Sequence, residues 1–254
     1  CMSRSLETYI VDKSRLKKAL LIVHQKRSDP GVIGQKLIDR GYQIDIRRPV
    51  LGDKLPNSME EHDLAVIFGG PMSINDVNLK FIKQEIDWID IALKSNKPFL
   101  GVCLGAQMLV KNLGGEVKKN TDNEYEIGFF DIIPTEEGSK IFEKQKTFFQ
   151  WHNEGFKVPN ECCILAKGKK FNQQAFKYKN TFGLQFHPEV NFKLHILWIY
   201  YTLLSAPHKL KDKGSQTCFA QGKGYPVEIR IADNNFIGAR TSANGNVQII
   251  IVIP

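Results

Sequence analysis

The segment Gly101-Val102-Cys103-Leu104-Gly105 stands directly after an apolar run and directly before the helical pattern Gln107, Met108, Leu109, Lys111, Asn112, Leu113. A turn from strand to helix holds a nucleophile in a strained, exposed pose, and flanking glycines remove the side chains that would crowd it. The helix N-terminus adds partial positive charge, which favours thiolate over thiol. A small buried cysteine on a Gly-rich packing turn would be written the same way. A second constellation, Gly183-Leu184-Gln185-Phe186-His187-Pro188-Glu189, weights the reading toward chemistry. A thiolate needs an imidazole to hold its proton and later hand it to a leaving amine, and a carboxylate to orient that imidazole. His187 and Glu189 offer both on one short segment, although His187 alone also fits a surface histidine before a turn proline.

A third element is Phe68-Gly69-Gly70-Pro71-Met72-Ser73. A bare backbone N–H at Gly70 could join that of Leu104 as an oxyanion hole, while the same residues also make an ordinary Gly-Pro turn.

From Ala19 onward, short apolar runs alternate with amphipathic stretches, the pattern of parallel strands joined by crossover helices. Strands are predicted over Ala19 to His24, Tyr42 to Ile46, Leu64 to Phe68 and Pro98 to Val102. Helices are predicted over Pro30 to Arg40 and Phe81 to Leu93, the latter with Ile82, Ile86, Ile89 and Leu93 on one face. Gly70 and Cys103 thus follow the carboxyl ends of strands, where α/β sheets put ligands. After Gly115 the character turns to β, with strands predicted over Ile127 to Ile133, Thr147 to Trp151, Cys163 to Ala166, Gln174 to Tyr178 and Gly183 to Phe186. A helix, Leu194 to Leu204, follows. The expected fold is a three-layer α/β/α domain, flavodoxin-like in plan, with a mainly parallel central sheet.

Composition narrows the function classes. With 254 residues, 42% hydrophobic and 24% charged, the chain suits one sizeable α/β domain and neither a disordered nor a membrane protein. No run approaches the roughly 20 apolar residues of a spanning helix, and Cys1 to Lys18 lacks a signal-peptide core, so the cytoplasm is the expected location. The net charge of +8 comes from scattered lysines without interleaved aromatics, which argues against nucleic acid as a partner. The five cysteines, Cys1, Cys103, Cys162, Cys163 and Cys218, form no C-x-x-C pair. Reduced thiols and no metal are expected, with Cys162 and Cys163 in a buried strand.

Taken in order, the Gly-Gly-Pro-x-Ser loop, G-x-C-x-G-x-Q and Gly-x-Gln-Phe-His-Pro-Glu resemble the signature of class I glutamine amidotransferases. The likeness runs from about Lys18 to about Leu204 and is strongest to the glutaminase domain of GMP synthase and its stand-alone relatives. It implies that Cys103 attacks the glutamine amide carbon, that His187 is the acid/base, that Glu189 orients His187, and that Gly70 and Leu104 donate to the oxyanion. It also implies that Gln107 contacts L-glutamine. The segment Trp151-His152-Asn153-Glu154-Gly155-Phe156 would grip the substrate α-amino and α-carboxylate groups, which makes His152 and Asn153 candidate binding residues. Relatives often read His-Gly-Asp where this chain has His152-Asn153-Glu154. Tyr125-Glu126-Ile127-Gly128 resembles a segment bordering the pocket and equally fits a strand-entry turn. No cofactor is implied.

GMP synthase proper also carries an ATP-pyrophosphatase domain, and no phosphate-binding glycine loop appears here. The ammonia acceptor is therefore expected on a separate synthetase partner. Two other functions use the same residues: self-sufficient hydrolysis of γ-glutamyl amides or peptides, and a noncatalytic regulatory protein of the same fold. The chain divides by this reading into an N-terminal extension (1–17), the amidotransferase domain (18–208) and a C-terminal extension (209–254). In that extension Asn244-Gly245 is predicted to turn a hairpin between Phe236 to Thr241 and Val247 to Ile253.

Overall fold

The computed structural model describes residues 16–76, 78–119, 124–142, 146–191, 194–198, 227–233, 237–241 and 247–253. In chain order the first half holds β1 (Lys18–Ile22), α1 (Gly31–Asp39), β2 (Gln43–Arg47), β3 (Leu64–Ile67), α2 (Lys80–Lys94), β4 (Phe99–Val102) and α3 (Leu104–Asn112). The next stretch is mostly β: β5 (Glu116–Lys119), β6 (Glu126–Asp131), β7 (Ile133–Pro134), the short α4 (Glu136–Ser139), β8 (Thr147–His152) and β9 (Glu154–Lys157). Then come β10 (Cys163–Lys167), β11 (Ala175–Tyr178), β12 (Thr181–Leu184), β13 (Val227–Asp233), β14 (Ile237–Thr241) and β15 (Val247–Ile253).

Strand β1 is apolar after Lys18 and buried there at every position, as a strand covered on both faces must be. It sits inside an eight-stranded sheet of order β2-β1-β3-β4-β12-β11-β10-β7. The strands from β2 to β12 pair in parallel, and β11, β10 and β7 extend the sheet antiparallel. Side chains of a strand alternate between faces, so Ala19 and Leu21 pack toward Ile33 and Leu37 of α1. Leu20 and Ile22 pack with Ile82, Trp88 and Ile89 of α2 and with Leu104, Met108 and Leu109 of α3. The result is the expected three-layer α/β/α, flavodoxin-like arrangement. None of the described helices is long and apolar enough to cross a membrane.

Several elements depart from the sequence reading. The strand expected over Gly183 to Phe186 runs instead from Thr181 to Leu184, and Gln185 to His187 peel away: the Gln185 N–H donates to Gln174 O and that of His187 to Phe149 O. The single strand expected over Ile127 to Ile133 is two. β6 pairs with β8 in a ribbon, and beyond the buried Ile132 the chain joins β10 as β7. Cys163 is exposed and Cys162 only half-buried: Cys162 sits in the turn before β10, its N–H donating to Pro159 O, and Cys163 opens β10 on the water side, ahead of the register shift that turns both Leu165 and Ala166 inward. The ribbon of β5 with β9 was not foreseen.

β14 and β15 pair antiparallel as the hairpin requires, and β13 adds in parallel to β15. The predicted turn at Asn244-Gly245 lies outside the described residues, as do residues 1–15, the proposed boundary near 209 and the helix from Leu194 to Leu204 beyond 198.

Helix α3 lies close against the sheet: a Cβ built on Gly105 would come within 2.1 Å of the Ile67 carbonyl oxygen. Backbone on backbone cannot yield cheaply, so Gly105→Ala is expected to cost about 1–3 kcal/mol of stability. Urea unfolding measures it, and an unchanged midpoint would contradict the packing described.

Candidate active site

The carboxyl ends of β1, β3, β4 and β12 all point to one place. β4 ends at Val102, and Cys103 then takes φ 49° and ψ −104° before α3 begins at Leu104. A positive φ on a side chain with a Cβ stores strain, which a sharp turn tolerates only where its surroundings fix it. Two hydrogen bonds do so: the Cys103 N–H donates to Leu184 O at 2.7 Å, and the Gln107 N–H donates to Cys103 O at 3.0 Å. The thiol is buried (5% exposed) at the N-terminus of α3, where the helix dipole favours negative charge. Among the described residues neither the Leu104 nor the Gly70 N–H donates a hydrogen bond to another protein group.

Glu189 Oε1 accepts a hydrogen bond from His187 Nδ1 at 2.8 Å, with both side chains buried. The backbone locks both in place. His187 is bridged to Phe149, and the Glu189 carbonyl accepts from the Val32 N–H at the start of α1. A Cβ on Gly31 (φ +56°) would lie 2.2 Å from that carbonyl, so only glycine lets α1 begin there. The remaining faces of the His187 ring meet Trp198, edge-on at 5.0 Å, and Phe149 at 6.3 Å.

Burial by itself would depress the His187 pKa; the Glu189 and Cys103 charges and a side-chain hydrogen bond to each outweigh it and raise it to about 10. The imidazole is thereby held as imidazolium at neutral pH beside the sulfur. Cys162 differs: burial, with Glu161 adding to it, pushes that thiol up to about 11, which leaves it protonated and a poor nucleophile.

A buried amide pair backs the thiol. Gln185 Nε2 lies 3.6 Å from Cys103 Sγ and donates to it, while Gln107 Nε2 donates to Gln185 Oε1 (3.3 Å) and to Glu154 O (3.2 Å). His152 Nδ1 contacts the same Glu154 carbonyl at 3.0 Å, and its Nε2 faces Gln150 Oε1 and Glu126 Oε2. Both nitrogens of His152 are thus engaged inside the protein, whereas Asn153 is exposed. The Glu154 carboxylate accepts from the Ser73 hydroxyl and from Asn75 Nδ2, tying the Gly69–Ser73 loop to the β8–β9 turn. Glu126, at the head of β6, is buried and also accepts from Gln174.

Sequence reasoning missed Gln185, whose only signal was its place inside the quoted His187 segment. It also missed Gly69, where a Cβ would lie 2.7 Å from His187 Cε1 and 3.4 Å from Cys103 Cβ.

The sequence profile of the family "Glutamine amidotransferase class-I" matches residues 30–198. The chain belongs to the class I glutamine amidotransferase family. The glutamine amidotransferase-like protein YfeJ of Salmonella typhimurium is 30% identical over 80% of this chain and 84% of its own length. A glutamine-hydrolyzing GMP synthase subunit from Sulfolobus acidocaldarius is 34% identical over 54% of this chain and 73% of its own. A solved glutamine amidotransferase of Thermotoga maritima superposes with a TM-score of 0.71 at 31% identity, covering 78% of this chain and 85% of the other. The protein is a cysteine-dependent enzyme of glutaminase type.

For the amidotransferase, the His187 pKa rises above its unfolded value, so the folded state carries an extra proton between about pH 6.5 and about 10. Its contribution to stability is complete below pH 6.5 and fades as pH climbs through 10. Followed by NMR, His187 is expected to titrate near 10 in the wild-type protein and at lower pH in Glu189→Gln, which removes one raising charge. A wild-type midpoint near 6.5 would contradict this electrostatic picture.

Proposed function

We propose that this amidotransferase hydrolyses the side-chain amide of L-glutamine to glutamate and ammonia through a γ-glutamyl thioester on Cys103. The observation that carries the reading is the buried His187–Glu189 pair, coupled to a thiol at a helix N-terminus. In the first step the Cys103 sulfur attacks the amide carbon and the C–O π electrons move to oxygen. The backbone N–H groups of Gly70 and Leu104, unengaged among the described residues, would donate to that oxyanion. His187 gives its proton to the nitrogen, the C–N bond breaks, and ammonia leaves. His187 then takes a proton from water as the water oxygen attacks the thioester, and glutamate departs as the thiolate re-forms.

Gln107 and the backbone of residues 152–156 are assigned to hold the substrate, which fits the convergence of Gln107 and His152 on the Glu154 carbonyl. Asn153 is exposed and is assigned to this grip with the rest of the segment. The glutamine-hydrolyzing GMP synthase subunits among the relatives support a separate synthetase that receives the ammonia, and the expected location is the cytoplasm.

A second reading, hydrolysis of γ-glutamyl amides with bulky amines, draws support from the half-buried Trp151 and Trp198, whose rings meet edge to face 6.2 Å apart beside His187. An amine substituent leaving from the His187 side would meet that wall.

Ammonia release from glutamine, run beside γ-glutamyl amines and with or without cell extract, separates the two readings. Cys103→Ala and His187→Ala should each lower kcat by about 1,000-fold or more, with Glu189→Gln milder. A glutamine-like diazo-ketone should label Cys103 alone. Full activity in Cys103→Ala, or labelling elsewhere with parallel loss of turnover, would refute the assignment.

A further inference from the structure

Another buried histidine–carboxylate pair lies behind the Gly69–Gly70 loop. His24, just past β1, is 1% exposed, and Glu85, on the inward face of α2, is 0% exposed. Their contact, His24 Nε2 to Glu85 Oε2, is 2.8 Å. His24 Nδ1 sits 3.1 Å from the Gly69 carbonyl oxygen. A carbonyl only accepts, so Nδ1 carries a hydrogen. With Nδ1 turned to that carbonyl, Nε2 is left to the hydrogen bond with Glu85 Oε2, so the carboxylate fixes the ring from its far side.

The stability of the fold gives little reason for this arrangement. Glu85 Oε1 is buried without a hydrogen-bond partner, and a buried ion pair is often no more stabilising than an apolar pair of similar volume. The acceptor that His24 grips supplies a better reason. The Gly69 C=O and the Gly70 N–H belong to one peptide unit, and in a planar trans peptide they point in opposite directions. Holding the carbonyl toward His24 therefore aims the Gly70 N–H away from it. The His24 ring also fills the space beside Gly70, where a Cβ would come 2.8 Å from His24 Cβ and 3.0 Å from Leu104 Cδ2. No side chain fits between, and the glycine on either flank of that peptide leaves the plane otherwise free to rotate.

We infer that His24 and Glu85 are positioning residues that lock the Gly69–Gly70 peptide so that the Gly70 N–H is preorganised for the oxyanion. The inference rests on the oxyanion role proposed above for Gly70. Donors aimed in advance at developing charge lower the barrier because they need no reorientation during reaction. An unclamped peptide loses that advantage in kcat while ground-state binding of glutamine changes little.

The test compares wild type, H24L/E85L and H24N/E85L. The double leucine variant removes the clamp without leaving a buried charge. In H24N/E85L the asparagine Nδ2 stands near the position of the histidine Nδ1 and can still donate to Gly69 O. The expected result for H24L/E85L is a kcat for glutamine hydrolysis lower by about 10- to 100-fold, with KM within about threefold. H24N/E85L should recover most of that loss, and a crystal structure of H24L/E85L should show the Gly69–Gly70 peptide rotated. A rise in KM without a fall in kcat, no rescue by asparagine, or an unmoved peptide would overturn the inference. Failure of the wild-type protein to hydrolyse glutamine would sink the proposed reaction instead, and the peptide orientation in the variant would still decide the clamp.

Discussion

Cys103 and His187 lie far apart in the chain, and the parallel register between β4 and β12 brings them together. Gly101 stands beside Gly183 and Val102 beside Leu184, and the Cys103 N–H closes the ladder on Leu184 O at 2.7 Å. Past that hydrogen bond the two strands diverge for different purposes. One turns at a strained φ into α3; the other runs on through Gln185 to a bridge with Phe149 that sets His187. A slip of one residue in this pairing would turn the side chains of β12 to the opposite face of the sheet, and the imidazole would lose the sulfur.

The electrostatics of the site follow from that geometry. His24 and His187, like His152, each face a buried glutamate, yet the remaining nitrogens of His24 and His187 have different surroundings. His187 is coupled to the Cys103 sulfur and holds its proton up to about pH 10; His24 meets a backbone carbonyl and has no reacting atom beside it. Hence the first is suited to move a proton and the second to hold a peptide. Glycines set the spacing: a side chain at Gly69 would strike the His187 ring, and one at Gly70 would strike His24.

Much of this was legible in the sequence because it rests on local signals. The apolar runs at β1, β3 and β4 could only be buried strands, and glycines on both sides of Cys103 mark a turn that must approach other backbone closely, as Gly105 does at Ile67. What stayed hidden depends on partners distant in the chain. Glu85 interrupts the apolar face of α2 and reads as a surface residue until His24 is placed against it. The ribbon strand Glu116–Lys119 buries only Val117, too little apolar content to show a period. Gln185 was visible within its segment, but its amide contact with the thiol depends on where the chain leaves β12. Cys162 and Cys163 were misjudged because β10 starts only at Cys163, after a turn closed by the Cys162 N–H on Pro159 O, and apolar content alone does not place that boundary.

The central claim is that Cys103 carries the acyl group during turnover. Glu189→Gln removes a charge that raises the His187 pKa and so leaves a weaker base for the water step; quenching this variant in acid with glutamine present and digesting for mass spectrometry tests the claim directly. The expected result is one γ-glutamyl group on the peptide bearing Cys103, absent from Cys103→Ala. An unmodified Cys103 peptide in an enzyme that is still turning over, or an adduct on another residue, would contradict the account.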